Sequence, residues 1–112
     1  ETLYLFDARR FSLMKPSAYL VNVARGKMID SGALMDALRN ETIAGAAVDV
    51  TDPEPVPDGH ALWRTPNLLI TPHTADTNAQ VVGLFSQRID ANVRAWLTGS
   101  DWVGRVDPQL GY

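Results

Sequence analysis

The 112-residue sequence contains no cysteine, which excludes disulfide bonds, thiolate catalysis and cysteine-ligated zinc. It also has no apolar run near the ~18 residues that a membrane-spanning helix needs, and no basic-then-apolar signal segment at its start. Ten Lys plus Arg stand against thirteen Asp plus Glu, so the net charge is −3, and no basic run stands out. These absences predict a cytoplasmic chain that binds neither nucleic acid nor a membrane.

Glycine is present, but never in the pattern that binds phosphate groups. The eight glycines stand at positions 26, 32, 45, 59, 83, 99, 104 and 111, and no two are separated by a single residue. The G-x-G-x-x-G turn that cradles the pyrophosphate of a dinucleotide is therefore absent from these residues. No serine stands in a G-x-S-x-G pattern, which argues against serine hydrolase chemistry.

Apolar runs alternate with amphipathic segments along the chain. Residues 18–23, 44–50 and 68–70 are typical of buried strands, and the continuous run at 18–23 predicts a strand covered on both faces. Asp30 is suited to cap a helix that ends at Asn40, residues 7–14 have modest helical character, and residues 77–98 predict a long helix that stops at Gly99. The order predicts an α/β fold with a parallel sheet of about three strands and a long C-terminal helix.

Two apolar surfaces of this predicted fold have no partner in the sequence. The long helix would extend roughly 33 Å and carry an apolar stripe formed by Val82, Phe85, Ile89, Val93 and Trp96. The strand at 18–23 would offer an open apolar edge. We therefore expect a homo-oligomer or a complementing upstream chain.

Chemically capable side chains follow each predicted strand. Arg25 follows the first, Asp49 and Glu54 lie at and after the end of the second, and His73 follows the third. Carboxyl ends of parallel strands share one sheet edge, so these side chains can meet in one crevice. A guanidinium binds carboxylates, a histidine moves protons, and a nearby carboxylate orients its ring, a set that suits oxidation of a hydroxy acid. Each residue alone also has an ordinary structural explanation.

Three motifs in order, at residues 14–26, at 45–55, and at 60–63 followed by 67–75, resemble the signatures of D-isomer-specific 2-hydroxyacid dehydrogenases. The resemblance implies the C-terminal portion of a Rossmann-like, doubly wound NAD-binding domain, with residues 1–112 lacking the upstream glycine-rich half and the substrate domain. It implies hydride transfer between NAD or NADP, with NAD favoured, and a small 2-hydroxy or 2-oxo acid. Within the family, the sequence resembles phosphoglycerate dehydrogenases and glyoxylate/hydroxypyruvate reductases, and the loop at residues 49–55 favours the reductases.

The resemblance also implies a role for each site residue. Arg25 would bind the substrate, His73 would be the general acid or base, and Glu54 would orient His73. The residues implied to contact the nicotinamide end of the cofactor are Val23, Ala24, Arg25, Asp49, His73, Thr74, Ala75 and Asp76. No metal site is implied, since His60 and His73 lack ligand spacing.

This sequence departs from the family pattern at three positions. Lys27 replaces a usual glycine, Thr51 a common aromatic residue, and Asp76 a small residue that often faces the cofactor. Asp76 would disturb the nicotinamide pocket. None of the three replaces a catalytic residue type.

Two further classes of function stay open. Because the phosphate-binding turn is missing, the isolated chain is expected to be inactive, and it would then be a truncated remnant serving, if at all, as an oligomerising or interaction module. A phosphorylatable receiver domain fits the length and Asp49. It needs a lysine on a later strand, however, whereas both lysines, Lys15 and Lys27, precede Asp49.

Overall fold

The computed structural model describes residues 2–76 and 78–109, apart from the side chain of Gln80. The chain divides into two compact units, Glu1–Ala75 and Asp76–Tyr112.

The first unit alternates helices and strands, as the apolar and amphipathic segments predict. Its elements are α1 (Ala8–Ser12), β1 (Tyr19–Asn22), α2 (Ser31–Arg39), β2 (Gly45–Val48) and β3 (Leu68–Ile70), with short 3₁₀ turns at Gly26–Met28 and Ala61–Arg64. β3 has the predicted bounds, whereas β1 and β2 are shorter than predicted at both ends.

The three strands form one parallel sheet in the order β1-β2-β3. Ala46 in the central strand lies opposite Leu20 of β1 and Leu68 of β3, so the strands are in register. Their carboxyl ends therefore reach a common edge. This confirms the predicted parallel sheet, and in the described residues β1 pairs only with β2.

One face of the sheet builds the core, and the other does not. Leu20, Ala46 and Val48 pack in a buried cluster that also contains Phe11 of α1 and, from α2, Leu34, Ala37 and Leu38. On the alternate positions, Tyr19, Val21 and Leu69 are 73%, 67% and 61% exposed. The prediction that the first strand is covered on both faces is therefore wrong for this chain, because its side chains alternate between core and solvent.

The predicted ends of α2 are confirmed. The Asp30 carboxylate accepts the backbone N–H of Ala33 at 3.1 Å, which satisfies one of the unpaired donors of the first turn. Asn40 is the C-terminal cap. The cap thus fixes where the helix begins.

The second unit contains the long helix α3 (Asn78–Thr98). Thr77, the first residue of the predicted helix, lies outside the described residues. Gly99 follows α3 with φ of +71°, a left-handed conformation that suits glycine because it has no Cβ. The apolar stripe of α3 is 49–70% exposed at Val82, Phe85, Ile89, Val93 and Trp96. Among the described helices, none combines the length and the apolar character needed to cross a bilayer.

Gly26 is the point where the loops after β1 and β2 meet. A Cβ added to this buried glycine would lie within 1.9 Å of the carbonyl oxygen of Thr51, a backbone atom that cannot rotate away. We expect Gly26→Ala to lower the free energy of unfolding by about 1–3 kcal/mol, measured by urea denaturation. Gly32→Ala is the control, because its Cβ would meet only the Asp30 side chain at 3.2 Å. Equal stability of the two variants would contradict this close approach.

Candidate active site

The candidate residues gather at the carboxyl edge of the sheet. Asp49, Glu54 and His73 line one small pocket of about 200 Å³. Glu54 also lines a larger neighbouring cleft of about 600 Å³, together with Arg25 and Lys27. The two loops that carry Glu54 and His73 therefore meet, and the cleft with Arg25 adjoins them through Glu54.

The imidazole of His73 is in contact with a carboxylate. Its Nδ1 lies 2.5 Å from Oε1 of Glu54. Because an ionised carboxylate can only accept, Nδ1 is the donor and Nε2 is left for exchange with another group. The two side chains are 52% and 40% exposed, so the pair adds little to stability. Its effect is to orient the ring.

The backbone of His73 is in an uncommon conformation, with φ of +54°. This left-handed region is uncommon for a residue with a Cβ, and hydrogen bonds on both sides of His73 support it there.

Asp49 supplies that support from the end of β2. Its buried carboxylate accepts the hydroxyl of Thr71, the backbone N–H of Thr74 at 2.9 Å and that of Ala75 at 2.8 Å. The Thr71 hydroxyl, followed by the Thr74 N–H, holds the pKa of the Asp49 carboxyl below its usual range. The carboxylate therefore stays ionised and anchors the turn around His73.

Arg25 is exposed in its cleft. Its Nη1 donates to the carbonyl of Ala24 at 2.6 Å. No carboxylate within residues 2–76 and 78–109 pairs with its guanidinium. A cationic group without an ion-pair partner beside a cleft suits an anionic ligand.

Asn22, the last residue of β1, was not identified from the sequence. Its buried amide accepts the N–H of Ala24 and donates to the carbonyl of Arg25, both at 3.0 Å. The available signal was a lone polar residue ending an apolar run, three residues before Arg25. Asn22 therefore fixes the backbone of Arg25.

Four other candidate residues follow β1 and β3 at this edge. Val23, Ala24, Thr74 and Ala75 are exposed, and Asp76 is an exposed residue that begins the second unit.

Two further sequence features have structural roles. Thr51, one of the departures from the family pattern, donates its hydroxyl to the carbonyl of Pro53 at 2.8 Å within the loop of Glu54. Nδ1 of His60 accepts the N–H of Leu62 and so caps the second 3₁₀ turn. In the described part of the chain, no group of three or more His, Cys, Asp or Glu side chains is arranged to hold a metal ion.

Comparison with known proteins gives consistent matches. Residues 1–75 match the family model for the NAD binding domain of D-isomer specific 2-hydroxyacid dehydrogenases. The chain is 48% identical over 111 residues to the Corynebacterium melassecola protein named "Uncharacterized protein in proB 3'region", covering 99% of this chain and 36% of the relative. It is 37% identical over 112 residues to glyoxylate/hydroxypyruvate reductase A from Serratia proteamaculans, covering 100% of this chain and 35% of that protein.

A solved structure gives the same result. The D-isomer specific 2-hydroxyacid dehydrogenase from Xanthobacter autotrophicus, in complex with NADPH and MES, has a TM-score of 0.85 and 38% identity over 99% of this chain and 45% of that one. The chain spans about a third of the length of the curated relatives above, 36% and 35%. The matches confirm the family and the Rossmann-like fold that the motifs indicated.

The pKa of Asp49 predicts how this site responds to acid. A carboxyl whose pKa is lowered by folding contributes stability above its ordinary value near 3.8, and that contribution is lost as pH falls through the lowered value. We expect Asp49→Asn to destabilise the fold at pH 7 and the difference from wild type to shrink as pH falls below about 4. Urea denaturation of both proteins across this range measures it. A difference that is constant with pH would contradict the bonded carboxylate.

Proposed function

Because the chain belongs to the D-isomer specific 2-hydroxyacid dehydrogenase family, we propose that it supplies the acid–base and substrate-binding residues of an NAD(P)-dependent oxidoreductase. The observation that carries the proposal is the contact of His73 Nδ1 with Glu54 Oε1, beside a cleft that contains Arg25. The substrate we propose is a small 2-hydroxy or 2-oxo acid, and the name of the Serratia relative supports this class.

The chain's residues fit the nicotinamide end of such a cofactor. Val23, Ala24, Thr74 and Ala75 are exposed and follow β1 and β3. The Asp49 carboxylate has about four acceptor positions, and three of them are occupied by donors of this chain. The remaining position can accept a hydrogen bond from one further amide. When bound, the cofactor supplies or accepts a hydride. The turn that would hold its pyrophosphate is not among these residues.

In the reduction of a 2-oxo acid, each of the three residues has its own role. Arg25 binds the substrate carboxylate through paired N–H donors and so orients the carbonyl. His73 would give the proton on Nε2 to the carbonyl oxygen of the substrate. Glu54 keeps the ring in place through its contact with Nδ1. In the oxidation of a 2-hydroxy acid, Nε2 takes the hydroxyl proton back.

A second candidate is an inactive oligomerising or interaction module. It is favoured by the number of large apolar side chains left exposed, among them Tyr19 and Val21 on the sheet and Phe85 and Trp96 on α3, at 60–73%. Such side chains normally mark a surface that another chain covers.

His73→Ala tests the catalytic role. We expect it to lower kcat by about 10²–10⁴-fold with glyoxylate and NADH, in whichever form of the protein turns over, because the proton donor is lost. His60→Ala is the matched control, since His60 only caps a 3₁₀ turn. Stopped turnover in the control, or wild-type turnover in His73→Ala, would contradict the assignment. No turnover in any form would support the interaction module.

NADH titration of the 112-residue chain tests whether these residues bind the cofactor without the turn that would hold its pyrophosphate. Nicotinamide fluorescence is the signal. Losing two or three charge-assisted hydrogen bonds removes roughly 3–9 kcal/mol from binding. A ligand with a micromolar Kd has a binding free energy of only about −8 kcal/mol, so we expect this chain to bind NADH with millimolar affinity or weaker. Micromolar binding by the chain alone would show instead that it holds a complete cofactor site.

A further inference from the structure

Few polar residues are buried in the described part of the chain. They are Asn22 and Asp49, each 6% exposed, and Thr65, 7% exposed. None of their side-chain nitrogen or oxygen atoms lacks a hydrogen-bond partner. Thr65 bonds locally, because its hydroxyl donates to the carbonyl of Ala61 within a 3₁₀ turn. Asn22 and Asp49 instead face the loops that carry the candidate catalytic residues.

The side-chain amide of Asn22 forms two hydrogen bonds with the backbone of the turn that follows β1. Its Oδ1 accepts the N–H of Ala24, and its Nδ2 donates to the carbonyl of Arg25. The bonds do not involve the side chain of Arg25 but fix the backbone from which it extends.

The Asp49 carboxylate does the same for His73. It holds the hydroxyl of Thr71 on one side of the histidine and the N–H groups of Thr74 and Ala75 on the other. His73 lies between these anchors with its left-handed φ. The turn therefore presents the ring to Glu54 as long as the carboxylate bonds persist.

The two buried residues are joined to each other. The N–H of Asp49 donates to the carbonyl of Asn22 at 2.9 Å, which continues the pairing of β1 with β2 beyond the end of the strands. Both side chains thus project from one hydrogen-bonded rung of the sheet. A shift of either loop relative to the other has to break bonds at this rung.

We propose that Asn22 and Asp49 are a pair of positioning residues that set the separation of Arg25 and His73. Asn22 acts through the backbone of Arg25, and Asp49 acts through the turn around His73. The roles of Arg25 and His73 rest on the proposed function, but the hydrogen bonds do not. A carboxylate and an amide buried at a strand end cost free energy unless they are hydrogen-bonded, and here each of these bonds ends on one of these two loops or on the adjoining Thr71.

Amide exchange followed residue by residue by NMR tests the hydrogen bonds in the 112-residue chain. We expect Asn22→Ala to speed the exchange of the Ala24 amide about tenfold, without affecting Thr74 or Ala75. Asn22→Asp keeps an acceptor for that amide and should restore slow exchange. Asp49→Asn should speed Thr74 or Ala75 about tenfold, because its NH₂ group cannot accept. Both isosteric variants keep the side-chain volume, so their folding does not depend on refilling a cavity.

Kinetics with glyoxylate and NADH, in the form that turns over, tests whether the bonds position the reacting groups. Asn22→Ala should raise KM for glyoxylate with little change in kcat, since Arg25 binds the substrate. Asp49→Asn should lower kcat about 100-fold, since displacing a reacting group by about 1 Å has an effect of that order. Thr65→Val is the matched control. It removes an equally buried hydroxyl away from the site, so it should change neither parameter.

Three outcomes would overturn the proposal. The first is unchanged exchange at Ala24, Thr74 and Ala75 in the Asn22 and Asp49 variants. The second is the same acceleration in Thr65→Val, which would indicate general loosening. The third is an Asp49→Asn variant that raises only KM for NADH, which would indicate cofactor contact alone. If the wild type turns over in no form, the proposed function fails, while the exchange rates still decide whether the pair holds the loops.

Discussion

The buried carboxylate of Asp49 is the constraint from which the geometry of the site follows. A charge at the end of the central strand has lost most of its water and has to be solvated by protein donors. The donors come from the chain after β3, namely the Thr71 hydroxyl and the N–H groups of Thr74 and Ala75. That segment has to fold back over the strand end, and His73, in its middle, is carried to Glu54. The position of the histidine is thus a consequence of solvating a different residue.

A steric constraint brings in the other loops. Gly26 touches the backbone at Thr51, and no larger residue would allow this approach. The Ser31 hydroxyl at the start of α2 donates to the carbonyl of Asp52 at 2.8 Å, which ties the loop of Glu54 to the helix that packs in the core. Arg25 directly precedes Gly26, and Glu54 lies two residues after Asp52, which accepts the hydrogen bond from Ser31. The core therefore sets the arrangement of these two charged groups, although both side chains are exposed.

Much of this could be predicted from the sequence, because strand runs, helix caps and parallel order are local signals. Asp30, Asn40 and Gly99 marked helix ends, and the strand-end positions of Arg25, Asp49, Glu54 and His73 predicted a common edge. The bonds within that edge could not be predicted. Asn22 resembled an interruption of an apolar run, because its partners depend on how the chain turns after β1. The covering of β1 was predicted wrongly, because an apolar run does not say whether its second partner lies within the same residues.

The exposed apolar face and the polar edge of the sheet depend on different interactions. Association through the apolar face is therefore independent of the hydrogen bonds at the candidate active site. Tyr19, Val21 and Leu69 lie on the face without a cover, so another surface would be needed to bury them. The bonds of Asn22 and Asp49, by contrast, all end on groups of the first unit, between Asn22 and Ala75. Covering the face would add apolar burial without replacing any of these bonds. The hydrogen bonds of Asn22 and Asp49 and the contact of Glu54 with His73 therefore stay within residues 22–75, whatever surface covers the sheet.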